Sequence, residues 1–197
     1  MALVVSDLSK YIIAIVMAIY TYECFAVFRH RNEEDRNGIY ARQIVCMFIV
    51  HFGGFAAICL ETNDVSYIIF YGFQQILLFA TIALYRTIYH EASRLIINNM
   101  CMLLSIGFII LTRLSFDKAV RQFIIVTVSL IIGLFIPFLI VRFQFLKKLQ
   151  WVYATLGIGA LGIVMILGAV TNGSKLSFSV AGITFQPSEF VKILFVF

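Results

Sequence analysis

The residues best suited to chemistry stand near the end of the chain, in Phe185-Gln186-Pro187-Ser188-Glu189-Phe190-Val191-Lys192. The stretch reads as a helix start. Pro187 suits the first helical position, where its missing N–H costs nothing, and Glu189 then falls in the first turn, where the positive end of the helix dipole favours a carboxylate. Glu189 and Lys192 are three apart and share a face. Lys192 lies about 7–8 Å beyond Pro187 along the axis, a depth where a lipid-facing ammonium is expensive. It is therefore expected to face a watery, protein-lined cavity. A helix N-terminus, a lysine and nearby N–H groups together suit an anionic group such as a phosphate. A purely structural role competes with this, in which Glu189 caps the helix and Lys192 snorkels or pairs with it. The preceding residues 168–182, with Gly173-Ser174-Lys175 and the alternating Ser177-Phe178-Ser179-Val180, are expected to form an ordered outer loop. They hold neither GxxxxGK[ST] nor GxGxxG, so they are not a phosphate loop.

The elements that must position these groups follow from composition. Of 197 residues 62% are hydrophobic, above the roughly 45–50% of a soluble domain. With 15 Lys+Arg and 10 Asp+Glu, a water-facing surface cannot be covered. Lipid is the expected solvent, and membrane lipids are the expected surroundings. The net charge of +5 is spread in short basic clusters between apolar runs, which argues against nucleic acid as a partner. Cys24, Cys46, Cys59 and Cys101 lie in apolar segments without CxxC spacing, so neither a disulfide framework nor a metal site is indicated.

Apolar runs predict six full spans at 8–28, 43–60, 67–85, 95–111, 123–141 and 152–170, with a seventh starting near Pro187. Backbone groups in hydrocarbon must be satisfied within the segment, so the expected fold class is all-α: a polytopic transmembrane helix bundle with six full spans and a truncated seventh. The first run lacks a basic n-region and a cleavage site and is expected to be retained. One set of loops carries nine basic residues (Arg29, Arg31, Arg36, Arg42, Arg86, Arg94, Arg142, Lys147 and Lys148) and the other six (Lys10, Arg113, Lys118, Arg121, Lys175 and Lys192). The positive-inside rule puts the first set in the cytoplasm and the N-terminus outside. From Pro187 eleven residues remain, about 16 Å of helix, so the chain is expected to be a fragment of a longer membrane protein.

The stretch 173–192, ending in Phe-Gln-Pro-Ser-Glu-Phe-Val-Lys, resembles the signature of the SEDS family, the FtsW/RodA/SpoVE proteins. Residues 104–114, followed by Lys118-Ala119-Val120-Arg121-Gln122, are similar to that family's first core helix and its outer loop. The resemblance covers about 95–197, the first part of the family core, and leaves 1–94 as a three-span N-terminal extension. It implies a bacterial multi-pass protein of the plasma membrane that polymerises lipid II into peptidoglycan in division, elongation or sporulation, with a class B penicillin-binding protein as partner. It implies that Gln186, Pro187, Ser188, Glu189 and Lys192 line a central cavity, with Arg113 and Gln122 near its outer rim. The chemistry implied is glycosyl transfer, with an acidic base on the acceptor hydroxyl and a divalent cation or basic groups on the pyrophosphate leaving group. The family's essential aspartate belongs to a later outer loop, so this fragment is expected to hold no catalytic residue and no cofactor, and to be inactive alone. Ser177 stands where the family usually has tryptophan.

Other polar residues within spans have quieter expected roles. Glu23, near Arg29, is expected to be solvated or paired. His51 with Gln74 and Gln75 is expected to bond between the second and third helices. Asn98 and Asn99 are expected to pack or cap backbone. Gly53-Gly54 is expected to allow close helix packing, Arg29 to Arg36 to form a solvated loop, and Trp151 to anchor at an interface. Two rivals to the enzyme remain: a lipid-linked-precursor transporter, whose halves would carry inverted repeats, and a non-catalytic membrane partner of the cell-wall machinery.

Overall fold

A computed structural model describes residues 2–62, 64–142, 149–167, 169–171, 174–180, 183–185 and 191–192. The helices are α1 (Ala2–Arg29), α2 (Glu33–Thr62), α3 (Val65–Ile88), α4 (Arg94–Leu114), α5 (Phe116–Arg142) and α6 (Gln150–Leu167). Three short strands follow, β1 (Ala169–Thr171), β2 (Ser174–Val180) and β3 (Ile183–Phe185). Five helices, α1 to α5, are long and apolar enough to cross a membrane. The chain is thus a multi-pass helical membrane protein. At 18 residues α6 rises about 27 Å, just under the roughly 30 Å hydrocarbon thickness.

The chain divides into two compact units, residues 1–134 and 135–197. In the first, side-chain contacts fix the direction of each helix. Glu23 meets Arg42 while Ile13 meets Gly53, so α1 and α2 are antiparallel. His51 meets Gln74 while Phe55 meets Tyr71, which makes α3 antiparallel to α2. Asn98 meets Gln43 and Ile109 meets Gly54, so α4 runs parallel to α2. Phe123 meets both Phe70 and Phe108. The result is an up-and-down bundle with the α1–α2 and α3–α4 connectors at one end and the α2–α3 and α4–α5 connectors at the other.

The core follows helical periodicity. On α2 the buried residues are Ile39, Tyr40, Gln43, Met47, Val50, His51, Gly54, Phe55 and Ile58, a stripe at spacings of three and four. On α4 they include Asn98, Cys101, Met102, Ser105, Phe108 and Thr112. Small residues let these two stripes meet: a Cβ built on Gly54 would lie 2.7 Å from Ile109, so glycine is required for that approach. The expectation for Gly53-Gly54 is met. On the opposite faces Phe25, Phe52, Ile76, Phe79 and Leu103 are exposed, as lipid-facing side chains are.

Two elements differ from the sequence expectation. The run 33–36, expected as loop, is the first turn of α2, because Glu33, Glu34 and Asp35 complement the positive end of the helix dipole. The sixth run, expected to extend to residue 170, ends its helix at Leu167 and passes into β1. In the second unit β2 pairs antiparallel with β1 (Thr171 with Ser174, Ala169 with Ser177) and with β3 (Val180 with Ile183, Phe178 with Phe185). The stretch expected as an ordered loop thus contributes its described residues to a small three-stranded sheet. Its alternation of polar and apolar residues is the strand period rather than the helical one.

Candidate functional site

Of the residues expected to line a central cavity, Lys192 is described and exposed, while Gln186, Pro187, Ser188 and Glu189 lie outside the described residues. Residues 191–192 are helical, and the expected helix start at Pro187 lies outside the described residues. Val191 is buried, and a Cβ on Gly157 of α6 would sit 3.5 Å from it, so Val191 packs on α6 within the second unit. In the first unit Arg113 stands exposed in the last turn of α4. Gln122 on α5 is exposed at a groove of about 330 Å³ between α4 and α5, otherwise lined by apolar side chains such as Leu104, Phe108 and Val126. Arg113 and Gln122 thus share the α4–α5 end of one unit, and Lys192 belongs to the other.

The polar groups inside the first unit make two interhelical clusters. Arg42 grips Glu23 with two bonds, Nε to Oε1 at 2.7 Å and Nη2 to Oε2 at 3.1 Å. Glu23, expected to be solvated or paired, is paired, and its partner is Arg42 and not the nearby Arg29, because the antiparallel α1–α2 register brings residue 42 opposite residue 23. Asn98 Nδ2 donates to Gln43 Oε1 at 2.9 Å and to the Tyr40 carbonyl at 3.3 Å. Gln43 Nε2 reaches Cys24 Sγ at 3.8 Å. Asn99 Oδ1 accepts from Tyr20 Oη at 2.8 Å and from Cys24 Sγ at 3.1 Å. One belt therefore joins α1, α2 and α4. Sequence reasoning missed Tyr20, Cys24 and Gln43; the available signal was that Gln43 falls on the same stripe as Met47 and Val50.

The second cluster is the expected one. His51 Nε2 lies 3.0 Å from Gln74 Oε1, and Gln75 Nε2 donates to His51 Nδ1 at 2.8 Å. An amide oxygen on one ring nitrogen and an amide N–H on the other define a neutral imidazole with its proton on Nε2. Phe55 and Tyr71 flank the ring, with centroids 5.0 and 5.3 Å away. Both ring nitrogens are occupied within the bundle, so this histidine ties α2 to α3 and is not placed for proton transfer to a ligand.

Comparison with known proteins bears on the second half of the chain. The family model for FtsW/RodA/SpoVE, described as cell cycle protein, matches residues 92–197, just over half of the chain and including the Gln-Pro-Ser-Glu stretch and Lys192. No curated protein and no solved structure matches. The matched segment runs from the connector before α4, through two spanning helices, α6 and the sheet, and includes Lys192, and on this match the chain belongs to the FtsW/RodA/SpoVE family of cell cycle membrane proteins.

Proposed function

We propose that the chain is the N-terminal part of a SEDS peptidoglycan glycosyltransferase, which polymerises lipid II in the bacterial plasma membrane with a class B penicillin-binding protein. The observation that carries this reading is the family match over 92–197, which includes the Gln-Pro-Ser-Glu stretch and Lys192. In this reading Gln186, Pro187, Ser188, Glu189 and Lys192 line the substrate cavity and Arg113 and Gln122 stand toward its rim. An ammonium and a helix N-terminus suit the pyrophosphate of a lipid-linked sugar donor. A divalent cation or basic groups assist its departure, and the acidic base comes from an outer loop beyond residue 197. Residues 1–94 are the extension to the core, with the N-terminus outside.

The test is polymerisation of labelled lipid II in vesicles by a protein that carries this chain together with the complete core. Lys192→Ala is expected to lower the rate by about tenfold or more, the cost of one charged contact to a phosphate. Wild-type polymerisation by that variant removes the role assigned to Lys192. Lipid II translocation without glycan product favours the transporter, which the same polar cavity also suits.

A further inference from the structure

The end of the first unit that bears the α1–α2 and α3–α4 connectors holds a polar cavity of about 350 Å³ between the first turns of α2 and the connector before α4. Two carboxylates, Glu33 and Glu91, and two guanidiniums, Arg36 and Arg94, line it. Charges of opposite sign in one small cavity ordinarily pair with each other. Here the guanidiniums take neutral oxygens instead: Arg36 Nη2 donates to Tyr40 Oη at 3.1 Å, and Arg94 Nη1 donates to Asn37 Oδ1. Among the described residues no ion pair links any two of the four charges.

The wall is held from several sides. Tyr40 is buried, and Asn98 bonds its carbonyl from below. Tyr89, at the start of the α3–α4 connector, donates its hydroxyl to the Leu134 carbonyl at 2.5 Å, and the Ala92 N–H returns to the Tyr89 carbonyl at 3.0 Å. The helix α4 begins at this wall, and the side chain of its N-cap residue, Ser93, makes no capping bond. Its first-turn N–H groups add a positive partial charge beside the two guanidiniums.

A ligand of a single sign placed here meets two charges that attract it and two that repel it. A ligand with a phosphate at one end and an ammonium at the other meets a partner for each. The cavity lies where α2 and α4 begin and α3 ends, hence at the level where spanning helices leave the hydrocarbon and lipid headgroups lie. We propose that it binds the phosphoethanolamine headgroup of a membrane lipid, with the phosphate on Arg36 and Arg94 and the ammonium on Glu33 and Glu91. Guanidinium donors match phosphate oxygens, and the three N–H donors of a primary ammonium match two carboxylates. A choline headgroup carries the same charges without N–H donors, and a glycerol headgroup lacks the cation. The site therefore discriminates between them.

Native mass spectrometry of the chain in mild detergent, supplied with phosphatidylethanolamine, phosphatidylcholine or phosphatidylglycerol of matched acyl chains, tests this. The wild type is expected to retain one phosphatidylethanolamine about tenfold better than either competitor, as one set of charge-assisted bonds implies. Glu33→Gln with Glu91→Gln is expected to abolish the preference over phosphatidylglycerol. Arg36→Gln with Arg94→Gln is expected to weaken phosphatidylethanolamine retention roughly 30-fold. Each variant is compared at unchanged helical circular dichroism; Arg36→Lys with Arg94→Lys, which keeps both charges, is expected to restore part of the retention. Arg31→Gln, an exposed arginine outside the cavity, is expected to change nothing. Equal retention of the three lipids by the wild type, better retention of phosphatidylglycerol, or an Arg31→Gln effect as large as that of the cavity arginines overturns the proposal. Binding of free phosphoethanolamine by a protein without lipid preference overturns the lipid as its source.

Discussion

Two polar layers cross the α1–α4 bundle, and only the one nearer the connector carries charge. Arg42 and His51 are nine residues apart on α2, about 13–14 Å along the axis. In the upper layer the carboxylate of Glu23 is nearly covered, with its side chain 11% exposed, while that of Arg42 is 59% exposed and keeps contact with water. In the deeper layer His51 and Gln74 are fully buried, and every group there is neutral. The difference teaches where the bundle admits a full charge. Charge is accepted where a long side chain reaches the helix end, and deeper in the bundle the polar groups are uncharged, with His51 bonded through both ring nitrogens while the Gln74 amide nitrogen is left without a partner.

The largest effect expected from breaking this comparison is that of Arg42→Ala. It strands the covered carboxylate and is expected to cost about 3 kcal/mol of bundle stability, whereas Glu23→Ala leaves an arginine that water can solvate and costs about 1 kcal/mol. Unfolding in mixed micelles measures both, and equal losses would show that the asymmetry in exposure is irrelevant. Next comes the close approach between the layers. Gly54→Ala pushes a methyl group into Ile109 and is expected to cost about 1–2 kcal/mol. Gly72→Ala, where nothing lies within 4 Å of the added Cβ, is expected to stabilise α3 by roughly 0.5–1 kcal/mol in the same titration.

In the deeper layer His51→Leu leaves Gln74 and Gln75 without their ring partner. The expected loss is about 1 kcal/mol, the scale of interhelical hydrogen bonds in membranes. Adding Gln74→Leu to that variant is expected to recover part of the loss, since removing both partners spares the unsatisfied amide. A double variant worse than the single one contradicts the pairing. The smallest effect is at the water-exposed end of α3. Asp64 caps that helix by accepting the Ser66 N–H at 2.9 Å, which holds its carboxyl below the ordinary 3.8. Its contribution is present above 3.8 and lost as the pH falls through the lowered value. Asp64→Ala should accordingly flatten the acid side of the stability profile by a small amount.

Some of this was legible before any coordinates. The apolar runs announced five long helices, because backbone in hydrocarbon has no alternative to helix, but α1, α2 and α5 begin six, ten and seven residues before the expected spans, in more polar sequence that apolarity does not mark. The neighbourhood of His51, Gln74 and Gln75 followed from their common depth in antiparallel spans. The Gln-Pro-Ser-Glu stretch carried the family. The Glu23–Arg42 pair was not legible, since Arg29 lies closer in sequence and only the hairpin register selects Arg42. Likewise the polarity of 168–182 suggested an ordered loop, while its strands depend on pairings that local sequence does not specify.

What the chain's sequence determines by itself is its solvent and its period. A composition this apolar has to fold in lipid, and the spacing of small and polar residues marks one face of each helix for burial. What tertiary structure alone decides is which marked faces meet. The placing of Asn98 beside Gln43, of Gly54 against Ile109, and of four charges around one cavity without pairing depends on register and direction between helices far apart in sequence. Those are set by packing of whole surfaces, not by any local run of residues.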